Sequence, residues 1–190
     1  MDLEQVMKVL RKTEAVLEGH FRLTSGKHSD FYVQCAKLMQ YPEEASALCR
    51  ELAALFGGDK VDVVIGPATG AIIMAYEIAK ALGARALFTE RENNVMALRR
   101  GFTIQPGERV LAVEDVVTTG GSVQEVVDLV GRMGGDVVSI GSFVDRSRGQ
   151  VKFTKPFKAL AAIDTNIYDP ADCPLCRQGI PAIKPGSRQA

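Results

Sequence analysis

Val110-Leu-Ala-Val-Glu-Asp-Val-Val-Thr-Thr-Gly-Gly-Ser122 reads as an apolar strand, then two adjacent carboxylates, then a Thr/Gly-rich turn. The residues that follow, Val123-Gln-Glu-Val-Val-Asp-Leu-Val130, place apolar side chains at helical spacing. A strand that ends in small residues and opens a helix presents several backbone N–H groups at the helix's positive end. That geometry suits a phosphate. Thr118, Thr119 and Ser122 add hydroxyl donors, and Gly120 and Gly121 let the backbone approach closely with positive φ. Glu114 and Asp115 repel phosphate but suit sugar hydroxyls, or a metal held between hydroxyls and phosphate. A phosphate cradle beside a diol-binding acidic pair implies a ribose 5-phosphate ligand. The blander alternative is a plain strand–helix connection with solvated carboxylates. The concentration of so many suitable groups in one run weighs against it.

Two other phosphate motifs are missing. There is no G-x-x-x-x-G-K-[ST] and no G-x-G-x-x-G after a strand, which argues against a P-loop triphosphatase and a dinucleotide Rossmann site. Outward from the central stretch the chain alternates regularly. Strands are expected at 61–65, 84–89, 110–113, 137–144 and 158–163. Helices are expected at 71–82 and 122–133, closed by Gly83 and by Gly134-Gly135. Strands that are apolar throughout and alternate with helices imply an α/β fold, with a parallel sheet of about five strands covered on both faces. Upstream, residues 2–18 read as an amphipathic helix with Leu3, Val6, Met7, Leu10 and Leu17 on one face. Residues 31–35 have strand character, and a second helix starts at Pro42 and closes at Gly57-Gly58.

The rhythm breaks over 90–107. This stretch is longer than an ordinary connection of about 4–6 residues and is rich in charge, with Glu90, Arg91, Glu92, Arg99 and Arg100. It reads either as a mobile functional loop or as an extended hairpin capping the sheet edge. Composition is that of an ordinary soluble protein: 46% apolar and 24% charged residues, with 23 Lys+Arg against 23 Asp+Glu. No global field favours nucleic acid or an anionic membrane. The N-terminus lacks a signal-peptide pattern and no apolar run approaches the ~18 residues of a membrane span, so a cytoplasmic location is expected.

The central run resembles the ribose-phosphate motif of the type I phosphoribosyltransferases. Leu23-Thr-Ser-Gly-Lys-His-Ser-Asp-Phe-Tyr32 is similar to the base-recognition segment of the family's orotate branch. Gly66-Pro-Ala-Thr-Gly-Ala71 resembles its pyrophosphate loop, and Val144-Asp-Arg146 its Asp-Arg after the next strand. The similarity runs from about Gly19 to Lys184-Pro-Gly-Ser-Arg188. It implies a type I phosphoribosyltransferase-like fold with an N-terminal hood and a long mobile loop. One domain is expected over 1–190, with the hood in 1–58, the α/β core in 59–165 and a Pro/Cys-containing tail in 166–190.

It further implies transfer of phosphoribosyl from phosphoribosyl pyrophosphate to orotate, giving orotidine 5′-monophosphate in pyrimidine synthesis. Glu114, Asp115, Val116, Val117, Thr118, Thr119, Gly120, Gly121 and Ser122 would bind the ribose phosphate, and Ala68, Thr69 and Gly70 the pyrophosphate. Lys27, Phe31, Tyr32, Thr118 and Arg146 would bind orotate. Glu114 and Asp115 would serve catalysis with Arg91, Arg99 and Arg100, which stand where better-described relatives have lysines and a histidine. Thr24 likewise replaces a substrate-contacting Lys. The resemblance implies Mg²⁺ carried mainly by substrate, and a homodimer whose loop reaches the neighbour's site; no nucleic-acid or membrane partner is expected. A purine phosphoribosyltransferase and a non-catalytic sensor of phosphoribosyl pyrophosphate are the alternatives.

Taken one at a time, two of these motifs have simpler explanations. Gly66–Gly70 could be a helix-capping turn with Thr69 as cap, and Arg146 could form a surface salt bridge to Asp145 or a nearby Glu. Cys35 and Cys49 sit among apolar neighbours and read as core. Cys173-Pro-Leu-Cys176 has the spacing of half a zinc site. No second cysteine pair matches it, so the expected state is a pair of reduced thiols in an ordered tail, with no protein-held metal.

Overall fold

In a computed structural model, residues 1–23 and 25–185 are described; Thr24 and the Gly-Ser-Arg at 186–188 lie outside the described residues. Nine strands and five helices follow in chain order. They are α1 (Leu3–Lys12), β1 (Val16–Arg22), β2 (His28–Val33), α2 (Pro42–Ala54), β3 (Val63–Pro67), α3 (Ile72–Leu82), β4 (Arg85–Glu92), β5 (Val95–Leu98), β6 (Arg109–Val117), α4 (Gly121–Arg132), β7 (Asp136–Asp145), β8 (Phe157–Ala162), β9 (Ile167–Tyr168) and the short α5 (Pro174–Arg177).

The main sheet has the order β5-β4-β3-β6-β7-β8. All pairings among β3, β4, β6, β7 and β8 are parallel, and β5 is the antiparallel edge. These five parallel strands are the five read from the sequence. Their uninterrupted apolar character follows from double coverage. Val64, Leu111 and Val113 face a core shared with α1, α2 and α3, while Val63, Ile65, Val110 and Ala112 face a second core against α4. From β3 the chain goes first to β4 on one side and later to β6 on the other. The crevice between β3 and β6 is therefore a topological switch point, where open α/β sheets bind ligands beyond their carboxyl ends.

The N-terminal expectation needs correction. One helix over 2–18 was expected; α1 stops at Lys12 and 16–22 is a strand. The start is well specified, since Asp2 and Gln5 form a reciprocal capping box. The end is set by Thr13, whose hydroxyl donates back to the Val9 carbonyl at 2.9 Å, and by Glu14 at φ 53°. Leu17 continues the helical spacing by coincidence; it pairs with Tyr32 across β1 and β2. The hairpin β1–β2 and β9 form a separate three-stranded sheet.

The charged stretch after β4 takes the hairpin form. Asn93 and Asn94 both have positive φ (50° and 63°) between the paired Glu92 and Val95, the signature of a two-residue turn matched to strand twist. The chain then returns along the sheet edge, with Phe102 edge-on to Phe88 at 5.2 Å and Ile104 buried. Among the described residues no helix is long and apolar enough to cross a membrane.

Gly66 lets α3 pack where β3 ends. A Cβ there would lie 2.5 Å from the Ala71 Cβ and 2.8 Å from the Val113 carbonyl oxygen. Both obstacles belong to close-packed elements that cannot swing aside. Gly66→Ala should therefore cost about 1–3 kcal/mol, which for a chain of this size lowers Tm by roughly 3–10 °C. A thermal melt reads this directly; an unchanged Tm would mean that the α3–β3 contact is loose.

Candidate active site

Strand β6 continues to Val117 instead of stopping at Val113, so the acidic pair lies inside the strand. Neighbours in a strand point to opposite faces, and the two carboxylates accordingly meet different surroundings. Asp115 abuts the Gly66–Gly70 loop: a Cβ on Gly70 would lie 2.8 Å from Asp115 Oδ2. Its Oδ1 accepts from the Val116 amide at 2.9 Å. Burial raises its pKa above the ordinary aspartate value. Glu114 is turned toward α4. Burial and the charge of Asp115 push its pKa up to about 7, against the opposing pull of the Val123 amide and the Arg91 guanidinium. The site thus holds negative charge that the chain itself leaves largely uncompensated.

Beyond the pair, Val116 packs on the α1/α2/α3 core and Val117 is fully buried, its carbonyl accepting from the Arg146 amide at 2.8 Å. These valines are held by their side-chain packing, and the loop proper begins at Thr118. Thr118 and Thr119 are exposed. Gly120, at φ 73°, caps α4 without a side-chain hydrogen bond, and a Cβ there would strike Phe153 and Val151 at 2.8 Å. No side chain caps the first amides of α4, which leaves those of Gly121 and Ser122 able to meet an anion while that of Val123 faces Glu114. Thr118, Thr119, Gly120, Gly121, Gln124 and Lys152 line a cavity of about 440 Å³.

The second loop, Ala68, Thr69 and Gly70, follows β3 and meets the first through Asp115. Thr69 does not cap α3, whose N-cap is Ala71 without a side-chain hydrogen bond. Ala68 donates to the Thr89 carbonyl at 2.7 Å, and the Ala68–Thr69 peptide is cis.

Arg146 emerges at the end of β7 beside the phosphate loop. With Thr118, Thr119, Gln150, Thr165 and Ile167 it lines a cavity of about 290 Å³. Its guanidinium donates to Thr165 Oγ1 at 3.1 Å, while its buried Nε has no partner. Burial pulls its pKa below the usual arginine value, with the Tyr32 phenol opposing. No ion pair to Arg146 occurs among the described residues, and the Asp145 carboxylate accepts instead from the Ser147 amide at 2.7 Å. The simple salt-bridge explanation of this arginine is thereby removed. Sequence reading missed Thr165, Gln150 and Lys152. The signal for Thr165 was its place just after the last parallel strand, on the same carboxyl edge as the motifs.

In the hood, Phe31 packs against the main core. Tyr32 packs on Phe21 at 5.7 Å between ring centroids and lines a cavity with Leu17, Gln34 and Lys37. Lys27 is exposed at the hairpin tip. The three loop arginines are engaged within the chain: Arg91 with Glu125 through two 2.8 Å bonds, Arg100 with Glu90 through two 2.7 Å bonds, and Arg99 with Glu92 at 3.5 Å. All three arginines are exposed, so solvent and salt screen these pairs and they hold weakly.

Residues 40–177 match the phosphoribosyl transferase domain family. Over 189 residues, covering 100% of both chains, this chain is 56% identical to the orotate phosphoribosyltransferase of Caldanaerobacter subterraneus subsp. tengcongensis and 57% identical to that of Pelotomaculum thermopropionicum. Among solved structures, the orotate phosphoribosyltransferase of Aeropyrum pernix superposes with a TM-score of 0.67 at 28% identity, over 83% of this chain and 93% of that one. An adenine phosphoribosyltransferase from Thermoanaerobacter pseudethanolicus, at 17% identity and a TM-score of 0.62 over 70% of this chain and 88% of that one, shares the fold. With a family-model match over residues 40–177 and full-length relatives at 56–57% identity, the chain belongs to the phosphoribosyltransferase family, among its orotate phosphoribosyltransferases.

Proposed function

We propose that the residues at the β3–β6 crevice divide the transfer of phosphoribosyl to orotate as follows. The amides and hydroxyls of Thr118, Thr119, Gly120, Gly121 and Ser122 hold the 5-phosphate. Asp115 and Glu114 hold the ribose hydroxyls, and the Ala68–Gly70 loop receives the pyrophosphate. Arg146 binds the orotate carboxylate, with Thr118 beneath the base and Tyr32 and Lys27 of the hood above it. Phe31 supports the hood from the core.

Arg146 carries this reading. A half-buried guanidinium with an unpartnered Nε, lining a cavity beside the phosphate loop, is poised for a paired contact with a planar carboxylate, which orotate has and purines lack.

The C1–oxygen bond to pyrophosphate breaks with its electron pair leaving on pyrophosphate, the bond from orotate N1 to C1 forms, and the N1 proton is released to solvent, with oxocarbenium character at C1 between. Alignment of the two substrates and stabilisation of the leaving group supply most of the catalysis. Mg²⁺ entering with the substrate would supply further neutralisation of the leaving group's charge, while Glu114 and Asp115 hold the ribose hydroxyls. Burial raises the pKa of both Glu114 and Asp115, so positive charge brought by the substrate would favour their charged forms. Arg91, Arg99 and Arg100 exchange their weak surface partners for the departing pyrophosphate, and in a homodimer they do so in the neighbour's site. Arginine stays protonated, so this role is electrostatic. Reaction between soluble ionic substrates fits a cytoplasmic enzyme.

Product analysis with orotate, phosphoribosyl pyrophosphate and Mg²⁺, run beside adenine, hypoxanthine and xanthine, tests the reading as a whole. Arg146→Ala should raise the orotate KM roughly ten- to a hundred-fold, corresponding to ~1.5–3 kcal/mol for a charged hydrogen-bonded contact, and leave the KM for phosphoribosyl pyrophosphate nearly unchanged. Equal effects on both substrates would remove the carboxylate contact.

Glu114 links stability to pH. Between 4.5, the ordinary value, and about 7, the unfolded chain has released this proton while the folded chain keeps it. Stability therefore falls as pH rises through that window, by about 3 kcal/mol if the whole shift is expressed. Glu114→Gln should flatten this part of the Tm–pH curve, melt higher than the parent at roughly pH 8, and turn over more slowly. Parallel melts decide it; a variant less stable at high pH would mean that the carboxylate is already compensated.

Replacing Arg91, Arg99 or Arg100 by Ala should lower kcat while barely changing orotate binding, because the charge each meets develops during reaction. A loop-arginine variant mixed with Asp115→Asn under subunit exchange should regain activity, since one hybrid site then contains both intact parts. Absence of recovery despite proven exchange would place the loop in its own site.

A further inference from the structure

The tail cysteines are not alone. His20 from β1, His28 from β2, and Cys173 and Cys176 from the tail bring one ligand atom each to a common point, all within 4.8 Å of one another. His20 Nε2 lies 2.8 Å from His28 Nδ1 and 3.5 Å from Cys173 Sγ. Cys176 Sγ lies 3.3 Å from His28 Nδ1 and 3.9 Å from His20 Nε2. A tetrahedral zinc with bonds of about 2.0–2.3 Å holds its ligand atoms about 3.3–3.8 Å apart. Three of these four contacts lie within a few tenths of an ångström of that range, and the His–His contact is somewhat shorter.

The second pair of ligands missed in the sequence is thus histidine, drawn from 145 and more residues upstream. These are the only two histidines in the chain. Their convergence comes from the hairpin: Arg22 pairs with His28, and His20 stands in the irregular stretch between Glu18 and Phe21 where the register shifts, its ring reaching within 2.8 Å of the His28 ring.

We propose that His20, His28, Cys173 and Cys176 of one chain form a structural Cys₂His₂ zinc site that fastens the C-terminal tail to the hood hairpin. Four independent features support a built site. The donor set matches a closed structural zinc centre, with no open position for catalysis. His20, His28 and Cys173 are 3%, 7% and 1% exposed, so three of the four donors are out of water. The His20 Nδ1 sits 2.7 Å from the Ile180 carbonyl. A proton on Nδ1 donated there leaves the Nε2 lone pair aimed at the centre, the outer contact that orients a metal-bound imidazole. The cysteines carry the C-x₂-C spacing of a zinc knuckle, and both are free of disulfide.

The surrounding backbone shows what the site holds together. Arg22 donates to the Ile183 carbonyl at 2.8 Å and Ile183 to the His20 carbonyl at 2.9 Å, so the tail runs along β1 past the metal position. Strand β9 pairs with β2 at His28 and Ser29. Thr165, which contacts Arg146, lies two residues before β9. A metal at this point locks hood, tail and the Thr165 segment into one piece. Without a metal, two imidazole nitrogens at 2.8 Å can share only one proton, and the two thiols are left with weak contacts to ring nitrogens already engaged.

Metal analysis of protein purified under reducing conditions should find about one zinc per chain, and Cys176→Ser should lose it. Cobalt(II) exchanged into the wild-type protein should give the intense visible absorption of a tetrahedral thiolate–imidazole site. Chelation should lower Tm by roughly 10 °C, restored by added zinc, and should speed amide exchange in the tail from 173 to 183. If Cys176→Ser fails to fold, cobalt absorption and the chelator melt on wild-type protein decide the matter. Metal-free protein whose Tm ignores both zinc and chelator would overturn the proposal, as would zinc retained in the Cys173→Ser, Cys176→Ser double variant.

Discussion

The parallel ladder between β3 and β6 is the constraint on which the site depends. Val63, Val64 and Ile65 pair with Val110, Leu111 and Ala112, so the two strands reach the carboxyl edge of the sheet side by side. Whatever follows them in sequence must meet in space. The loop of Gly66–Gly70 and the run from Glu114 to Ser122 are brought into contact by this pairing, and Gly70 touches Asp115 as a consequence. Neither loop needs a long excursion to reach the other. Glycine at 66 and 70 completes the arrangement, because any side chain there would occupy space already filled by Ala71 or by the Asp115 carboxylate.

The same closeness has an electrostatic cost. Two adjacent carboxylates near the core are poorly solvated, and both are driven toward protonation. The local helix terminus and Arg91 offset only part of this. Such a pair makes little sense as a stabilising device and good sense as a binding site for hydroxyls and the charge of a metal-bearing substrate. Arg146 shows the opposite sign of the same logic: a half-buried cation with an unsatisfied Nε and no ion-pair partner among the described residues. Where charge is satisfied internally, as in the hairpin pairs of Arg91, Arg99 and Arg100, it lies on the surface and is cheap to rearrange.

The hood is built differently from the sheet. It has a two-strand hairpin and a two-residue third strand, too little to bury a core of its own. It is therefore held from outside, by Phe31 against the main core and by the tail against β1 and β2. His20, His28, Cys173 and Cys176 cluster at the point where hairpin and tail cross, where a small element most needs a staple.

Much of this was legible in the residues. The five parallel strands stood out because buried parallel strands are apolar without interruption. The run from Glu114 to Ser122 stood out because it gathers glycines, hydroxyls and carboxylates in one short stretch. Pairings between distant residues were not legible. Periodicity could not separate α1 from β1, because Leu17 falls in phase with Leu10 while its true partner is Tyr32 across a hairpin. The stretch after β4 left loop and hairpin open until Asn93 and Asn94 were seen to turn it. The extent of β6 past Glu114 was set by its neighbour β7, which pairs as far as Asp145. Above all, Cys173 and Cys176 seemed to lack partners because ligand spacing was sought along the chain. Sequence by itself determined the strand–helix alternation and the chemistry of the phosphate loop, since both rest on local composition. Tertiary structure alone decided that Arg146 meets no anion among the described residues and that two histidines meet two cysteines, because these depend on which distant segments the sheet and its tail bring within a few ångströms.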